Sequence, residues 1–291
     1  MQNKQAYFDS QSHLVKLFME RSGVGTPHAS PEQVMSDVVE RATGKRMYSQ
    51  GQLLQRFLNV RNIVSVDFAL DPGCDGMIEP IGSQFSDGFR MQLKKNVSEV
   101  RSRFTLAHEA CHTFFYELVP EIKFRLHQTD DLEERLCNFG AAALLIPSAS
   151  LRKRTKKLPI CLDSLEQLAQ EYTVSLATML LRLRALALWK CQLSSWHRTT
   201  GGNFVLDRLY GGRRCEWKWQ DTSLLEQVWN SGESVFGTNF VYLDNEEGVR
   251  RYRPISYNVR RSETGLIALW GGGVRPAALS HPLFEVIRRH H

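Results

Sequence analysis

Five consecutive residues carry the sharpest chemistry in this sequence: His108-Glu109-Ala110-Cys111-His112, an H-E-x-x-H. Within a helix, residues four apart share one face, so both imidazoles can reach a single metal ion. Glu109 then stands about a quarter-turn round from His108, where its carboxylate can contact a metal-held water without ligating the metal. That combination suits hydrolysis, with an ion to polarise and a base to take the proton. The apolar neighbours Phe104, Leu106, Phe114 and Phe115 agree with a helix buried on one side.

Two histidines leave a catalytic zinc one ligand short, because such sites use three protein ligands and keep a fourth position open. The run DDLEERLCNFGAAALLIP offers a carboxylate, in a helix predicted from about Asp131 to Ile146 and stopped by Pro147. Glu134 lies 22 residues beyond His112, enough chain for a loop and a returning helix, and would complete a His₂Glu set. Glu133 and Glu134 equally suit a solvated helix N-terminus, where the dipole favours acidic side chains, and both readings stay open on the residues alone. Asn138, four residues after Glu134, is either a hydrogen-bonding partner behind the ligands or a plain surface amide. His127 and Tyr116 are candidate oxyanion donors, and neither is singled out.

Several elements must position these groups. Asn96, with Glu99 three residues on, is expected to cap the H-E-x-x-H helix as a capping box. Ahead of it, NIVSVDFAL, GMIEPI and GFRMQL are β-prone runs separated by turn signals, which predicts a small sheet. Residues from about 8 to 58 read as helical, with Leu14, Leu17 and Phe18 at helical spacing. Within them Ser30-Pro31 marks a helix start and Gly44 a stop. After Pro147 comes the basic connector LRKRTKKLP, then DSLEQLAQEYTVSLATMLLRLRALAL, two helices broken at Thr173-Val174-Ser175 with a helix-turn-helix cadence. Ser175 would cap the second helix, and Arg182 and Arg184 offer contacts to phosphate. Beyond about residue 200, Trp217-Lys218-Trp219, FVYL and GLIALW point to strands. The expected fold class is α+β, with a metal-site domain over 1–150, a helix-turn-helix-like segment over 151–198 and a C-terminal α+β domain over 199–291.

RSRFTLAHEACH followed by EERLCNFGAAALLIP resembles the ImmA/IrrE metallo-endopeptidases, whose pattern is R-F-T-x-A-H-E-x-x-H, then E-x-x-A-N-x-F-A-x-x-L-L-x-P. Arg103-Phe104-Thr105 match the lead-in, and Glu134, Asn138 and Leu144-Leu145-x-Pro147 match the second block. The resemblance covers roughly residues 40 to 190. It implies a zincin-like peptidase domain, with His108, His112 and Glu134 as ligands to Zn2+ (Mn2+ could occupy the same set) and Glu109 as catalytic base. Cys111 stands where the family has glycine, and Cys137 and Gly140 where it has alanine. The three-part layout is similar to that of radiation-response members, whose third domain is a GAF-like sensor; its ligand or partner here is unknown. The resemblance further implies a narrow protein substrate, typically a helix-turn-helix repressor whose cleavage releases stress-response or mobile-element genes.

Composition bounds these expectations. The chain has 291 residues, 42% hydrophobic and 23% charged, within the globular range and large enough for a core without disulfides. Lysine and arginine total 37 against 31 acidic residues, a net charge of +6 that permits an acidic partner without demanding one. The six cysteines form no C-x-x-C pair, which argues against a zinc ribbon or a secreted disulfide scaffold. With no signal-like start and no membrane-length apolar run, the expected place is the cytoplasm. The competing reading is a non-enzymatic DNA-binding transcriptional regulator that uses the helix-turn-helix and arginine clusters around a structural metal. An intact Glu109 argues against it, since a structural site needs no base. Direct DNA binding is the less favoured role for the helix pair, because Leu176-Ala177-Thr178 offers little to read a base edge.

Overall fold

The computed structural model describes residues 17–22, 30–44, 50–70, 73–82, 87–116, 131–211, 223–244 and 250–275. Local chemistry accounts for the first helix, α1 (Pro31–Thr43). The Ser30 hydroxyl accepts from the Gln33 N–H, Pro31 fills the first turn, and Gly44 ends the helix at φ 80°, where a side chain would be strained. A second helix, α2 (Gln50–Val60), leads into β1 (Ile63–Leu70). Leu14 lies outside the described residues.

The three β-prone runs form one sheet of β1, β2 (Gly76–Pro80) and β3 (Phe89–Lys94), in the order β1-β3-β2. β1 runs parallel to β3, whereas β2 is antiparallel to it. Phe89, Met91 and Leu93 alternate inward on β3 and are buried beneath α3 (Glu99–Tyr116). α3 in turn packs against α4 (Asp131–Leu145), and α4 against α1. The start of α3 differs from the capping box read at Asn96. Asn96 is left-handed at φ 56°, so the chain is still turning there. Ser98 is the cap: its hydroxyl accepts from the Arg101 N–H and its carbonyl from the Ser102 N–H, so Glu99 falls at the first helical position instead of the third.

The chain divides into two compact units. One comprises the described residues up to Pro147 together with Tyr172–Val174, and the other holds 148–171 and the residues from Ser175 on. The second unit opens with α5 (Ser148–Thr155), α6 (Leu162–Tyr172) and α7 (Leu176–Ala185). The break between α6 and α7 puts Thr173 at φ 51°, and the Ser175 hydroxyl caps α7 at the Thr178 N–H. There follow β4 (Cys191–Arg198), β5 (Phe204–Tyr210), α8 (Ser223–Ser231), β6 (Val235–Asp244), β7 (Arg250–Arg261) and β8 (Leu266–Gly271). The five strands form an antiparallel sheet in the order β5-β4-β8-β7-β6. Leu225 and Val228 of α8 cover Trp196, Val259, Leu266 and Trp270 on its face.

Two polar nodes sit inside this second unit. The buried Ser194 hydroxyl accepts the indole N–H of both Trp196 (2.9 Å) and Trp270 (2.8 Å). The fully buried Asn258 accepts the Leu162 N–H, in the first turn of α6, at 2.8 Å and donates to Ser234 at 2.7 Å. Both satisfy donors that burial would otherwise leave without water or partner. Trp217-Lys218-Trp219 lies outside the described residues. Among the described residues no helix is long and apolar enough to cross a membrane.

Candidate metal centre

The site forms where α3 and α4 cross. His108 and His112 lie one turn apart on α3, and Glu133, Glu134 and Asn138 occupy the first two turns of α4. The crossing is close because α4 is small there. A Cβ placed on Gly140 would lie 2.7 Å from the Cys111 sulfur and 3.0 Å from Cε of Met35. Two of the three departures from the resembled pattern, Cys111 and Gly140, therefore meet: a larger residue on α3 fills the space that a smaller residue on α4 leaves. Cys111 is fully buried, and burial pushes its thiol, like that of Cys137, well above the ordinary range. Such thiols are packing atoms.

Three donor atoms converge. The His108 and His112 Nε2 atoms are 3.1 Å apart, Glu134 Oε2 is 3.0 Å from His108 Nε2, and Glu134 Oε1 is 3.5 Å from His112 Nε2. Among the described residues His108, His112 and Glu134 are the group of side chains that could hold a metal ion. The other ring nitrogens face away to separate partners. His112 Nδ1 meets Glu133 Oε1 at 2.8 Å, and His108 Nδ1 meets Asn138 Oδ1 at 3.1 Å. Those acceptors favour the tautomer with the proton on Nδ1, which leaves Nε2 of each ring as the atom that can face a metal ion.

A cation among these three closely spaced donor atoms would offset their mutual repulsion, so the donor set fits a metal ion. A tetrahedral zinc with bonds of about 2.0–2.1 Å holds its ligands about 3.3 Å apart, close to the spacing observed. The charge count agrees, since Glu109, Glu133 and Glu134 bring three carboxylates to two imidazoles. Access is one-sided: the His108 and His112 side chains are 12% and 5% exposed, and Glu134 is 40% exposed.

Glu109 is 9% exposed, and burial holds its carboxyl above the usual range, partly offset by His112 and His108 and reinforced by Glu134. Its space is made by Gly76 at the start of β2: a Cβ there would come within 2.8 Å of Oε1 and Cγ of Glu109 and 2.5 Å of Thr105 Cγ2. Burial alone would lower the His112 pKa. The hydrogen bond to Glu133, its charge and those of Glu109 and Glu134 outweigh that and raise it.

Two readings of the sequence change here. Tyr116 is not free to serve as an oxyanion donor, because its buried hydroxyl donates to the Ile78 carbonyl; His127 lies outside the described residues. Glu133 and Glu134 are neither a solvated pair nor interchangeable. Glu133 is 3% exposed and stands behind His112, whereas Glu134 stands on the Nε2 side. Their adjacency hid this, since neighbours on a helix lie about 100° apart and only the tertiary partner shows which one turns inward. Gly76 left no signal, because what it accommodates lies more than thirty residues away on another element.

A helix pair that could hold a metal ion, over a small mixed sheet and with a glutamate beside the candidate ligands, fits a zincin-like metallopeptidase domain. Residues 75–184 match the family model described as Peptidase_M78, the IrrE N-terminal-like domain, so this part of the chain carries a domain of that family. No curated protein matches the chain in sequence. A solved structure titled "Mycobacterium tuberculosis transcriptional regulator" aligns over 89% of this chain and 79% of that one, at 12% identity and a TM-score of 0.48. A likeness at that level carries no argument about function.

Proposed function

We propose that this chain is a zinc-dependent endopeptidase of narrow specificity, acting on a DNA-binding helix-turn-helix repressor and so switching on stress-response or mobile-element genes. The observation that carries the catalytic part is the convergence of His108 Nε2, His112 Nε2 and the Glu134 carboxylate beside the buried Glu109. The substrate class rests on family resemblance.

His108, His112 and Glu134 would hold the ion. When bound, zinc supplies Lewis acidity, drawing the pKa of a water towards neutrality and polarising a carbonyl. Glu109 would accept the proton of an attacking water and deliver it to the leaving amine nitrogen of the cleaved peptide. Burial of Glu109 behind Gly76 and Thr105 keeps its carboxylate in one orientation and limits competing solvent.

In the second unit, α6 and α7 are read as a helix-turn-helix-like pair in a packing role, and the five-stranded sheet with α8 as a regulatory, GAF-like sensor. A role on DNA is disfavoured by the arginines read as phosphate contacts. Arg182 is 2% exposed and donates to the Ser148 hydroxyl, and Arg184 donates to the Cys191 carbonyl. The structural-metal alternative also leaves Glu109 without work.

The test is elemental analysis of purified wild type, Glu134→Gln, His112→Ala and Glu109→Gln, with cleavage of a helix-turn-helix repressor followed in parallel. About one zinc in wild type, loss in the two ligand variants, and retained zinc with abolished cleavage in Glu109→Gln are expected. Absence of metal from wild type after zinc addition overturns the peptidase reading. Full retention in Glu134→Gln overturns the ligand assignment.

A further inference from the structure

Glu133 lies one residue ahead of the E-x-x-A-N block, so the family pattern assigns it nothing. Its placement is nonetheless unusual for a carboxylate. The side chain is 3% exposed, and Oε1 sits 2.8 Å from Nδ1 of His112, itself 5% exposed. Removing an ionised carboxylate from water is costly unless a cation or strong donors compensate. A buried imidazole N–H whose ring is polarised by a cation on its far nitrogen supplies that compensation. The second histidine is backed differently: the partner of His108 Nδ1 is the neutral amide oxygen of Asn138, on an exposed part of α4.

We propose that Glu133 is the positioning residue of the metal centre. Its buried carboxylate holds the proton of His112 on Nδ1, fixes the ring so that Nε2 faces the ion, and adds negative charge that strengthens the Nε2 donor. Asn138 does the same for His108 with a weaker, solvent-accessible contact that water can replace. The two histidines of the motif are therefore unequal, and His112 is the anchored one. This inference rests on the metal reading of His108, His112 and Glu134 and extends it to the residue behind them.

The test uses the full chain as wild type, Glu133→Gln, Glu133→Ala and Asn138→Ala. Each is stripped of metal, titrated with zinc against a chromogenic chelator, and separately loaded with cobalt for its visible d–d spectrum. Loss of such an outer hydrogen bond weakens metal binding about 10–100-fold. Glu133→Ala is expected to weaken zinc within that range and to shift the cobalt bands. Glu133→Gln, which keeps an acceptor oxygen but not the charge, should fall between it and wild type, and Asn138→Ala should lose less than Glu133→Ala. Zinc affinity within about threefold of wild type and unchanged cobalt bands in both Glu133 variants would overturn the inference while leaving the metal reading intact, since the 10–100-fold loss would be absent. Should Glu133→Ala fail to fold, Glu133→Gln decides alone. Failure of wild type to bind either ion would remove the metal reading itself, and this inference with it.

Discussion

Gly140→Ala tests whether the crossing of α3 and α4 is set by the size exchange between Cys111 and Gly140. The added methyl would lie 2.7 Å from the Cys111 sulfur and 3.0 and 3.3 Å from Cε and Cγ of Met35. Favourable contacts of this kind lie at about 3.5–4.0 Å, so the helices must part by most of an ångström or Cys111 must leave its rotamer. Overpacking of this kind costs about 1–3 kcal/mol. Alanine in a helix interior recovers up to about 1 kcal/mol relative to glycine. The single variant should therefore be destabilised by about 0–2 kcal/mol. Cys111→Ala, which removes one buried atom, should cost about 1 kcal/mol. Alone, neither value is decisive; the coupling is. With the sulfur gone, the shortest contact of the Gly140→Ala methyl is removed and Met35 at 3.0 and 3.3 Å remains, so the double variant should be more stable than the sum of the singles by about 1–3 kcal/mol. Urea unfolding of the four proteins measures this, and zinc content shows whether the ligand-bearing helices have moved. Additivity within about 0.5 kcal/mol would refute the argument that these two positions fill one space.

Other outcomes follow from features of both units. Gly76→Ala should retain its metal, because no ligand moves, yet lose about 10–100-fold in kcat as Glu109 is displaced; peptidase assay with metal analysis checks it, and unchanged kcat would refute it. Ser194→Ala removes the acceptor shared by two buried indole N–H groups and should destabilise the chain by about 1–3 kcal/mol, read as a lowered Tm and altered tryptophan fluorescence. Asn258→Leu removes the acceptor for the Leu162 N–H and should cost about 1–3 kcal/mol, with faster amide exchange at the start of α6 as its local signature. Chelation of the wild type should abolish peptidase activity and lower Tm, with both restored by added zinc.

How much of this was legible in the sequence depended on how locally each feature is determined. The H-E-x-x-H spacing needs only a helix to become a face, and helix α3 delivers it. Ser30, Pro31 and Gly44 likewise act within a turn or two of themselves. The cap at Ser98 was missed because Asn96 and Ser98 are both good capping residues two positions apart, and only the left-handed backbone at Asn96 separates them. The strands were legible as runs, but not the order β1-β3-β2, because alternation says which residues face inward and not which strand is the neighbour. Glu133 behind His112, Gly76 under Glu109 and Gly140 against Cys111 are all contacts between elements. Each involves a residue whose own sequence neighbourhood reads as ordinary surface, turn or helix interior.

The neighbours of β4 have a consequence for anyone who would shorten this protein. Cys191–Arg198 is flanked by β5 on one side and by β8, some seventy residues later in the chain, on the other. The first turn of α6 is meanwhile held by Asn258 from β7. A chain ended at residue 198 would keep β4 with neither flanking strand, bare the indole of Trp196 and leave the Leu162 N–H without its acceptor. Such a fragment is a sticky edge in search of a strand, and it would be expected to self-associate before it could be asked whether regulation survives. The start of α6 and the five-stranded sheet are thus held together by residues far apart in the chain.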